Sequence, residues 1–488
     1  MLKTPEKMTT SKNKIQFLLG NKLTEIDFNS KKIPPTTTVL NYLRSLPNHK
    51  GVKEGCAEGD CGACTVVIAE ESNNKLTYKS FDSCLIFLPS LHGKQLITVE
   101  DVGNSENLHP VQEALVDTHA SQCGFCTPGI TMSLFSIYKQ DFIPSKEFII
   151  DALTGNLCRC TGYKPIIEAA HKCCGEHNHD NFSENENETI LKLQEIKKTS
   201  DNIAIDTGIQ KYYLPTNLKT ALQLRTDLPA STIINGGTDV ALRVTKKNEI
   251  IPTIIDLSQT TGLKQITKTE KEWSIGTGIS LEDVRVEVKE IFPALYEMLS
   301  VFGSKQIRNK ATFGGNIGSA SPIGDTTPVL MAYNSVLVLK NTKAEREIKL
   351  REFITGYRTT QMNHDELIIA VKIPIPNKTE IIKSYKISKR KDLDISTVSA
   401  CFNLTKDEKS IVKDIFIVYG GMAATTSRAT KTEKFLIGKQ WNRENIEKAM
   451  KLIDEDFTPI SDARSGAEAR KIMARNLMMK FYNDTNKS

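Results

Sequence analysis

Apolar and polar positions alternate from residue 14 to 28, KIQFLL and then KLTEIDF, on either side of Gly20-Asn21. That alternation predicts a β-hairpin closed by a two-residue turn. The period then lengthens. Val39, Leu43 and Leu46 share one face of a short helix, with Thr36, Thr37 or Thr38 available as its cap and Pro47 ending it. Strand-like alternation returns at 65–69 and near 76–79. From Leu108 the pattern is helical: His109-Pro110 opens a segment with Val111, Ala114 and Leu115 on one side. Pro128 suits the first turn of a second helix carrying Met132, Leu134, Phe135 and Tyr138. Pro144-Ser145 starts a third helix, and a fourth begins about Pro165. The stretch GEHNHDNFSENENETI is polar and acidic and reads as a solvated linker. Beyond it, strand-like STII at 231–234 leads to N-G-G-T-D and a helix. IVKDIFIVYGGMAATTSRA, from Ile411, reads as strand before helices to the end.

These patterns divide the chain into a β-rich segment 12–103, a helical segment 104–175, a linker 176–205, a large segment 206–380 and an α+β segment 381–485. The first dozen or so residues read as a disordered lead-in. A length of 488 residues accommodates several cores, and 39% hydrophobic with 25% charged residues is ordinary for a globular chain. The net charge of +6 is small and no Lys/Arg block stands out, so nucleic-acid and membrane-surface partners are not expected. CLIFL at 84–88 is far short of the ~18 apolar residues of a membrane span. The start, MLKTPEKMTTSKNK, lacks the apolar core of a secretory signal. With the cysteine spacings below, the eleven cysteines point to the reducing cytoplasm.

The candidate chemistry begins in G-C-A-E-G-D-C-G-A-C-T, where Cys56, Cys61 and Cys64 stand as C-x4-C-x2-C and Cys84 follows the next strands. This is the plant-type spacing for four thiolates around a [2Fe–2S] cluster. Gly51, Gly55, Gly59 and Gly62 let the backbone wrap such a group closely. Farther on, Cys123 and Cys126 form C-x2-C, and Cys158 and Cys160 form C-x-C, four more thiolates for a second two-iron cluster or for a zinc ion. Cys173 and Cys174, with His171, His177 and His179 nearby, could hold a metal or simply end a helix beside the linker. Two glycine-rich loops, N-G-G-T-D at 235–239 and the stretch 302–328, could clasp both ends of a pyrophosphate. Neither G-x-G-x-x-G nor a Walker motif is present, which argues against a Rossmann site or an NTPase.

The runs KEGCAEGDCGACTV, SCLIFLPSLHGKQLITVED, LHPVQEALVD, SQCGFCTPGI and DALTGNLCRCTGYKPIIEAA resemble the two iron–sulfur domains of the molybdenum hydroxylases. That family includes xanthine dehydrogenase, aldehyde oxidoreductases and carbon monoxide dehydrogenase. That resemblance covers residues 14–174. The two glycine-rich loops resemble the FAD domain of the same family, and the segment past about residue 380 its C-terminal part. Together they imply an α+β multidomain fold. Its parts are a β-grasp ferredoxin domain, a four-helix 2Fe-2S domain, a vanillyl-alcohol-oxidase-like FAD domain and a small α+β C-terminal domain. By the same resemblance, Ile233, Ile234, Asn235, Gly236, Gly237, Thr238, Asp239 and Val240 fall on the first FAD loop. Phe302, Thr312, Asp325, Ile368 and Lys386 fall on further flavin positions, and Tyr357 borders the nicotinamide site. Arg428 and the 388–394 loop lie on the flavin side. Gly237 replaces an asparagine of the family, and Asp239 a longer glutamate.

What the resemblance implies is an iron–sulfur/FAD subunit of xanthine dehydrogenase type. Electrons from purine hydroxylation on a separate large subunit, which binds the molybdenum cofactor, would pass through two 2Fe-2S clusters to FAD and on to NAD+. Two small and two large chains would assemble, with Gln122, Arg159 and Cys160 facing the large subunit. A related aldehyde or N-heterocycle oxidoreductase subunit is one alternative, and a stand-alone electron-transfer flavoprotein is another.

Overall fold

Hairpin, caps and strands form where the residue patterns place them. The structure is a computed structural model that describes residues 10–30, 32–176, 178–198 and 202–486. Its contacts divide the chain into two compact units. The first comprises the chain up to Leu224, Ala230–Thr260 and Ser304–Ala311; the second comprises Arg225–Pro229, Thr261–Gly303 and Thr312 onward.

In the first unit, strands β1 (Thr10–Lys12), β2 (Lys14–Leu19), β3 (Lys22–Asp27), β4 (Thr65–Ser72), β5 (Lys75–Asp82) and β6 (Gln95–Ile97) come first in the chain. Five of them form a sheet in the order β3-β2-β6-β4-β5, with β2 and β3 paired from Lys14↔Asp27 to Leu19↔Lys22 as the hairpin requires. Across that sheet lies helix α1 (Val39–Ser45), capped by Thr38 and burying Val39, Leu40 and Leu43. A second sheet holds β1 with β7 (Asn202–Asp206), β8 (Lys211–Pro215), β9 (Thr232–Ile234) and β10 (Thr253–Asp256), in the order β1-β7-β8-β10-β9. Thr10–Lys12, expected within the lead-in, instead runs parallel to Asn202–Ala204. Its partner lies some 190 residues away, beyond the reach of local pattern. The rest of the lead-in lies outside the described residues.

After the short α2 (Val99–Val102), the helical part holds α3 (Pro110–Asp117), α4 (Thr127–Tyr138), α5 (Lys146–Leu153) and α6 (Lys164–Cys173). The side chain of Ser145 caps α5 by accepting from the Phe148 amide, and Pro stands in the first turn of α4. Every residue of α4 from Gly129 to Tyr138 is buried. A helix covered on all sides carries no polar stripe. One flank packs Met132 and Phe135 against Val67, Ala69 and Tyr78 of the ferredoxin sheet; another packs Ile130, Leu134 and Ile137 against α3, α5 and α6. Each such side chain contributes about 1.5–3 kcal/mol by leaving water.

Residues 181–198 correct the expectation of a solvated linker. They form α7 (Asn181–Glu184) and α8 (Glu186–Lys198), with Phe182, Ile190, Leu193 and Ile196 buried. The three aliphatics recur every third position and make one apolar stripe in an otherwise acidic and amide-rich segment. Asp180, which begins this stretch, is buried between Lys139 Nζ at 2.8 Å and His109 Nε2 at 3.2 Å.

The second unit contains a five-stranded sheet ordered Ile266–Lys268, Glu272–Gly276, Leu367–Pro374, Val336–Lys340, Glu345–Lys349. It also contains a four-stranded antiparallel sheet, Glu380–Ile387, Val398–Lys406, Val412–Gly420 and Ser427–Arg428. Helices Thr430–Leu436, Arg443–Asp456 and Ala467–Thr485 share the core of that second sheet, through Leu436, Ile446, Ile453, Met478 and Phe481. Arg470 is buried there; it donates to the carbonyls of Thr397 and Gly421 and meets both oxygens of Asp462 at 2.8 Å.

Candidate functional site

The pairing of β4 with β5 brings the first set of cysteines together. Thr65 stands opposite Asp82, so Cys64, just before β4, meets the turn just after β5 that carries Cys84. The Ser83 amide and hydroxyl both donate to the Cys64 carbonyl, at 3.3 and 2.7 Å, and fix that approach. Cys64 and Cys84 are both buried, and the Cys84 side chain is the largest influence on the Cys64 thiol, which it lowers. Upstream, Ala57 (φ 54°), Gly59 (φ 77°) and Gly62 (φ 68°) all take left-handed backbone. Those reversals turn the amides of Glu58 and Asp60 onto Cys56 Sγ, at 3.5 and 3.3 Å. The neighbouring Cys61 side chain, and then those amides, pull the Cys56 thiol down to about 5. Amides converging on sulfur favour its anionic form. Asp82 is fully buried beside Cys64. Burial first, and then the Cys64 and Cys56 sulfurs, hold its carboxyl far above the usual carboxylate range.

The second set is built on helix ends. Cys123 and Cys126 stand in the loop leading into α4, while Cys158 and Cys160 stand in the loop leading into α6. Gly124 (φ 77°) aims the Phe125 amide at Cys123. Tyr163 (φ 67°) folds its hydroxyl back to accept from the Cys158 amide at 2.9 Å, and Thr161 Oγ1 lies 3.2 Å from Cys158 Sγ. Cys160 is the side chain that acts most on the Cys123 thiol, and Cys158 the one that acts most on the Cys126 thiol. Burial, then contact with Cys158, pushes the Cys126 thiol up to about 12. Cys123 and Cys160 are exposed.

All eight cysteines are therefore free thiols gathered as two plus two at each site. A two-iron cluster asks for this division, since each iron takes two terminal thiolates. A zinc ion asks for four sulfurs around one point. Among the described residues, no three His, Cys, Asp or Glu side chains close around a single ion position. The paired donors and inward amides fit a [2Fe–2S] group at both sites. At the end of α6 the Cys173 and Cys174 sulfurs are 3.6 Å apart, but no third ligand joins them among the described residues; His177 lies outside those residues.

The expected flavin residues fall in both units. In the first, residues 233–240 run from β9 toward a short helix, Ala241–Thr245. Ile234, Asn235 and Gly236 are buried, Ile233, Gly237, Thr238 and Val240 half-buried, and Asp239 exposed. Gly236 touches the backbone of Lys310, leaving 2.3 Å where a Cβ would stand. Gly237 has φ 74°. In the second unit, Lys386 Nζ lies 2.9 Å from Asp325 Oδ2 and 2.9 Å from the carbonyl of Val301, next to the half-buried Phe302. Ser396 Oγ donates to Asp325 Oδ1 at 2.6 Å. Thr312 caps the helix Phe313–Gly318 by accepting from the Gly315 amide at 3.1 Å. Ile368 is buried, its carbonyl accepting from Thr277 Oγ1 at 2.5 Å. Tyr357 is 64% exposed.

Pattern reading missed Asp82, Ser133, Tyr163 and Gln306. Tyr163 had a local signal in C-R-C-T-G-Y; Gln306 had none, because its partners lie 150 and 173 residues away.

Four family models match the chain: a 2Fe-2S iron–sulfur cluster binding domain over 27–86, a [2Fe-2S] binding domain over 98–171, the FAD binding domain in molybdopterin dehydrogenase over 190–376, and the CO dehydrogenase flavoprotein C-terminal domain over 383–485. The chain is 32% identical to a xanthine dehydrogenase of Emericella nidulans over 510 residues, covering 93% of this chain and 37% of that one. It is 32% identical to xanthine dehydrogenase/oxidase of Gallus gallus over 96% of this chain and 39% of that one. Aldehyde oxidase 3 of Mus musculus is 31% identical over 96% of this chain and 39% of its own. The chain thus spans under two fifths of the length of these curated relatives. Among solved structures, quinoline 2-oxidoreductase from Pseudomonas putida matches with TM-score 0.52 at 21% identity, over 56% of this chain and 95% of that chain. CO dehydrogenase from Oligotropha carboxidovorans matches with TM-score 0.52 at 23% identity, over 55% and 94%. At such identities the two structures speak for the fold alone.

Proposed function

The chain belongs to the molybdenum hydroxylase family, and from that premise we propose that it is the iron–sulfur/FAD electron-transfer subunit of a xanthine dehydrogenase. Its partner would be a large subunit that binds the molybdenum cofactor and hydroxylates a purine, and NAD+ would be the final acceptor. One observation carries this reading: two sets of four free cysteines stand in one compact unit, their loops joined where the Leu157 amide donates to the Cys61 carbonyl at 3.0 Å. Iron–sulfur clusters move single electrons, whereas a flavin collects two and delivers a hydride.

The residues have separate tasks. Cys56, Cys61, Cys64 and Cys84 would hold the first cluster, and Cys123, Cys126, Cys158 and Cys160 the second. Residues 233–240 would offer backbone amides to the FAD pyrophosphate, while Phe302, Thr312, Asp325, Ile368 and Lys386 would position the rest of the flavin. Tyr357, on the surface, would border the nicotinamide. Cys123, Cys160, Phe125 and Leu157 all present exposed surface at the second site, supporting Gln122 and Arg159 as neighbours of the large subunit. Assembly as two small and two large chains in the cytoplasm completes the proposal. No helix among the described residues is long and apolar enough to cross a membrane.

Co-expression with a molybdenum-cofactor subunit, then iron, flavin and pterin analysis of the purified complex, tests the reading. About four irons and one FAD per chain are expected. The chain alone should oxidise NADH with an artificial acceptor and leave xanthine untouched, and Tyr357→Ala should weaken NADH use more than flavin retention. Xanthine turnover by the chain alone would defeat the division of labour. The identity to mouse aldehyde oxidase 3 is nearly that to the xanthine enzymes. An aldehyde or N-heterocycle partner reaction is therefore the second reading, decided by the complex's substrate profile.

A further inference from the structure

The helix Lys305–Lys310 comes from the segment matched by the flavin-domain model, yet it packs within the iron–sulfur unit. Lys305 lies over the ring of Phe148 on α5, at 4.1 Å from its centroid. Arg308, fully buried, meets both carboxylate oxygens of Asp151 at 2.7 and 2.9 Å. Asn309 donates to the Ser80 carbonyl on β5 at 2.9 Å. The helix therefore grips the helical part with one set of side chains and the ferredoxin sheet with another.

Between those grips lies Gln306. Its Nε2 donates to Asn156 Oδ1 at 2.8 Å and to Ser133 Oγ at 3.2 Å. Ser133 Oγ also donates to Asn156 Oδ1, at 2.6 Å. On its other side, Asn156 Nδ2 donates to the Gly62 carbonyl at 3.2 Å and to Thr65 Oγ1 at 3.1 Å. A side-chain amide offers two donor hydrogens and two acceptor lone pairs, and Asn156 uses all four while 2% exposed. Its partners sit on both cysteine loops: Gly62 lies between Cys61 and Cys64, Thr65 follows Cys64, and Ser133 is on the helix after Cys126. Asn156 itself stands two residues before Cys158.

The backbones around this amide are in direct contact. A Cβ on Gly62 would stand 2.1 Å from the Gly155 carbonyl, and one on Gly129 would stand 2.2 Å from the Gly62 carbonyl. The Leu157 amide donates to the Cys61 carbonyl at 3.0 Å. One hydrogen bond and one peptide unit thus separate cysteine 61 of the first set from cysteine 158 of the second. Among the described residues, Gln306 Oε1 is buried with no hydrogen-bond partner, so the side chain is held through its donors alone.

We propose that Asn156, locked from behind by Gln306, is the positioning residue that sets the contact between the two cluster loops and hence the electron step between the clusters. This rests on the two-cluster reading above. Neither residue touches a sulfur in the structure; each acts by holding Gly62, Thr65 and Leu157 in register with the opposite loop. The hydroxylase reaction itself needs nothing new from them.

The test uses the full chain carrying its clusters, with Gln306→Met, Asn156→Ala and, as a control in the α5 core, Ile149→Val. Iron and acid-labile sulfide are counted first. Four irons per chain retain the two-cluster reading, and a wild-type chain that binds no iron removes it and the proposal together. In chains with both clusters, the magnetic splitting between the reduced clusters should weaken in Gln306→Met and further in Asn156→Ala. Electron equilibration between the clusters should slow about tenfold, the lower end of what loss of an outer-shell partner costs a metal site. Ile149→Val should lower the melting temperature and leave splitting and rate as in the wild type. If Asn156→Ala fails to hold its iron, Gln306→Met decides. Fully loaded Gln306→Met with wild-type splitting and rate, but a lowered melting temperature, would show that the residues only stabilise the fold and would overturn the proposal.

Discussion

The two cysteine sets are alike in their four free thiols and differ in where the protein leaves them open. The ferredoxin site is closed by a strand pair: Cys64 and Cys84 are buried, and Asp82 is sealed in beside them. The helical site is closed on one side only, with Cys158 buried and Cys123 and Cys160 exposed. Identical ligands can therefore serve different tasks, because burial fixes which site can meet another molecule. At the ferredoxin site Cys56 and Cys61 are half-buried, so its opening lies on that side while Cys64 and Cys84 close the other.

The largest expected effect breaks the comparison outright. Cys84→Ser should remove one cluster and cut iron from about four to about two per chain, leaving the other cluster's EPR signal intact. Cys123→Ser should do the reverse. Two unaltered signals in either variant would mean the ligand assignment is wrong.

Next is a pair of glycine substitutions. Gly62→Ala places a Cβ against the Gly155 carbonyl at φ 68°, and should destabilise the chain by about 3 kcal/mol or more. Gly124→Ala has nearly the same backbone, φ 77°, with nothing among the described residues within 4 Å of its Cβ, so it should cost about 1 kcal/mol. Denaturant melts of the two variants, side by side, separate packing from backbone strain. Equal losses would mean the first loop is no more closely packed than the second.

Acid gives a third, smaller test. His92, near the end of the ferredoxin domain, accepts from the Gln16 amide at 3.1 Å, and burial lowers it from 6.5 to about 4. The unfolded chain binds this proton more readily, so stability is full above pH 6.5 and falls as pH drops toward 4. At 1.36 kcal/mol per unit, the loss is at most about 3 kcal/mol. His92→Gln should flatten that part of the pH–stability curve; an unchanged slope would place the acid sensitivity elsewhere.

The smallest effect is kinetic. In iron-free chain, iodoacetamide should reach Cys123 and Cys160 before Cys64 and Cys84, as read by peptide mass mapping. The Phe125 amide, followed by the Cys160 thiol, lowers the Cys123 thiol and favours its reactive form. Earlier labelling of Cys84 would reverse the contrast drawn between the sites.

What the residues revealed in advance was local. Cysteine spacing, the Gly20-Asn21 hairpin and the caps Thr38 and Ser145 each depend on neighbours within a few positions, and each is where the pattern put it. The stripe Ile190, Leu193, Ile196 was hidden by composition, since Glu and Asn between its members outweigh it in any average. Asn156 was legible as part of a tight turn, but not as a clamp, because its hydrogen bonds reach 91, 94 and 150 residues along the chain. Thr10–Lys12 escaped for the same reason.

The helix Lys305–Lys310 has a consequence for how the protein is made. The last of the eight cysteines is residue 160, but the unit that holds them is complete only when residue 311 has been added. At about 5–20 residues per second, a ribosome needs roughly eight to thirty seconds to cover that interval. During it the cysteine loops exist without Gln306, Arg308 and Asn309 behind them. Cluster insertion into the nascent chain would meet looser loops than those of the finished protein, and arrival of this one short helix would close them. A gene cut anywhere between residues 175 and 304 would make that closing step bimolecular.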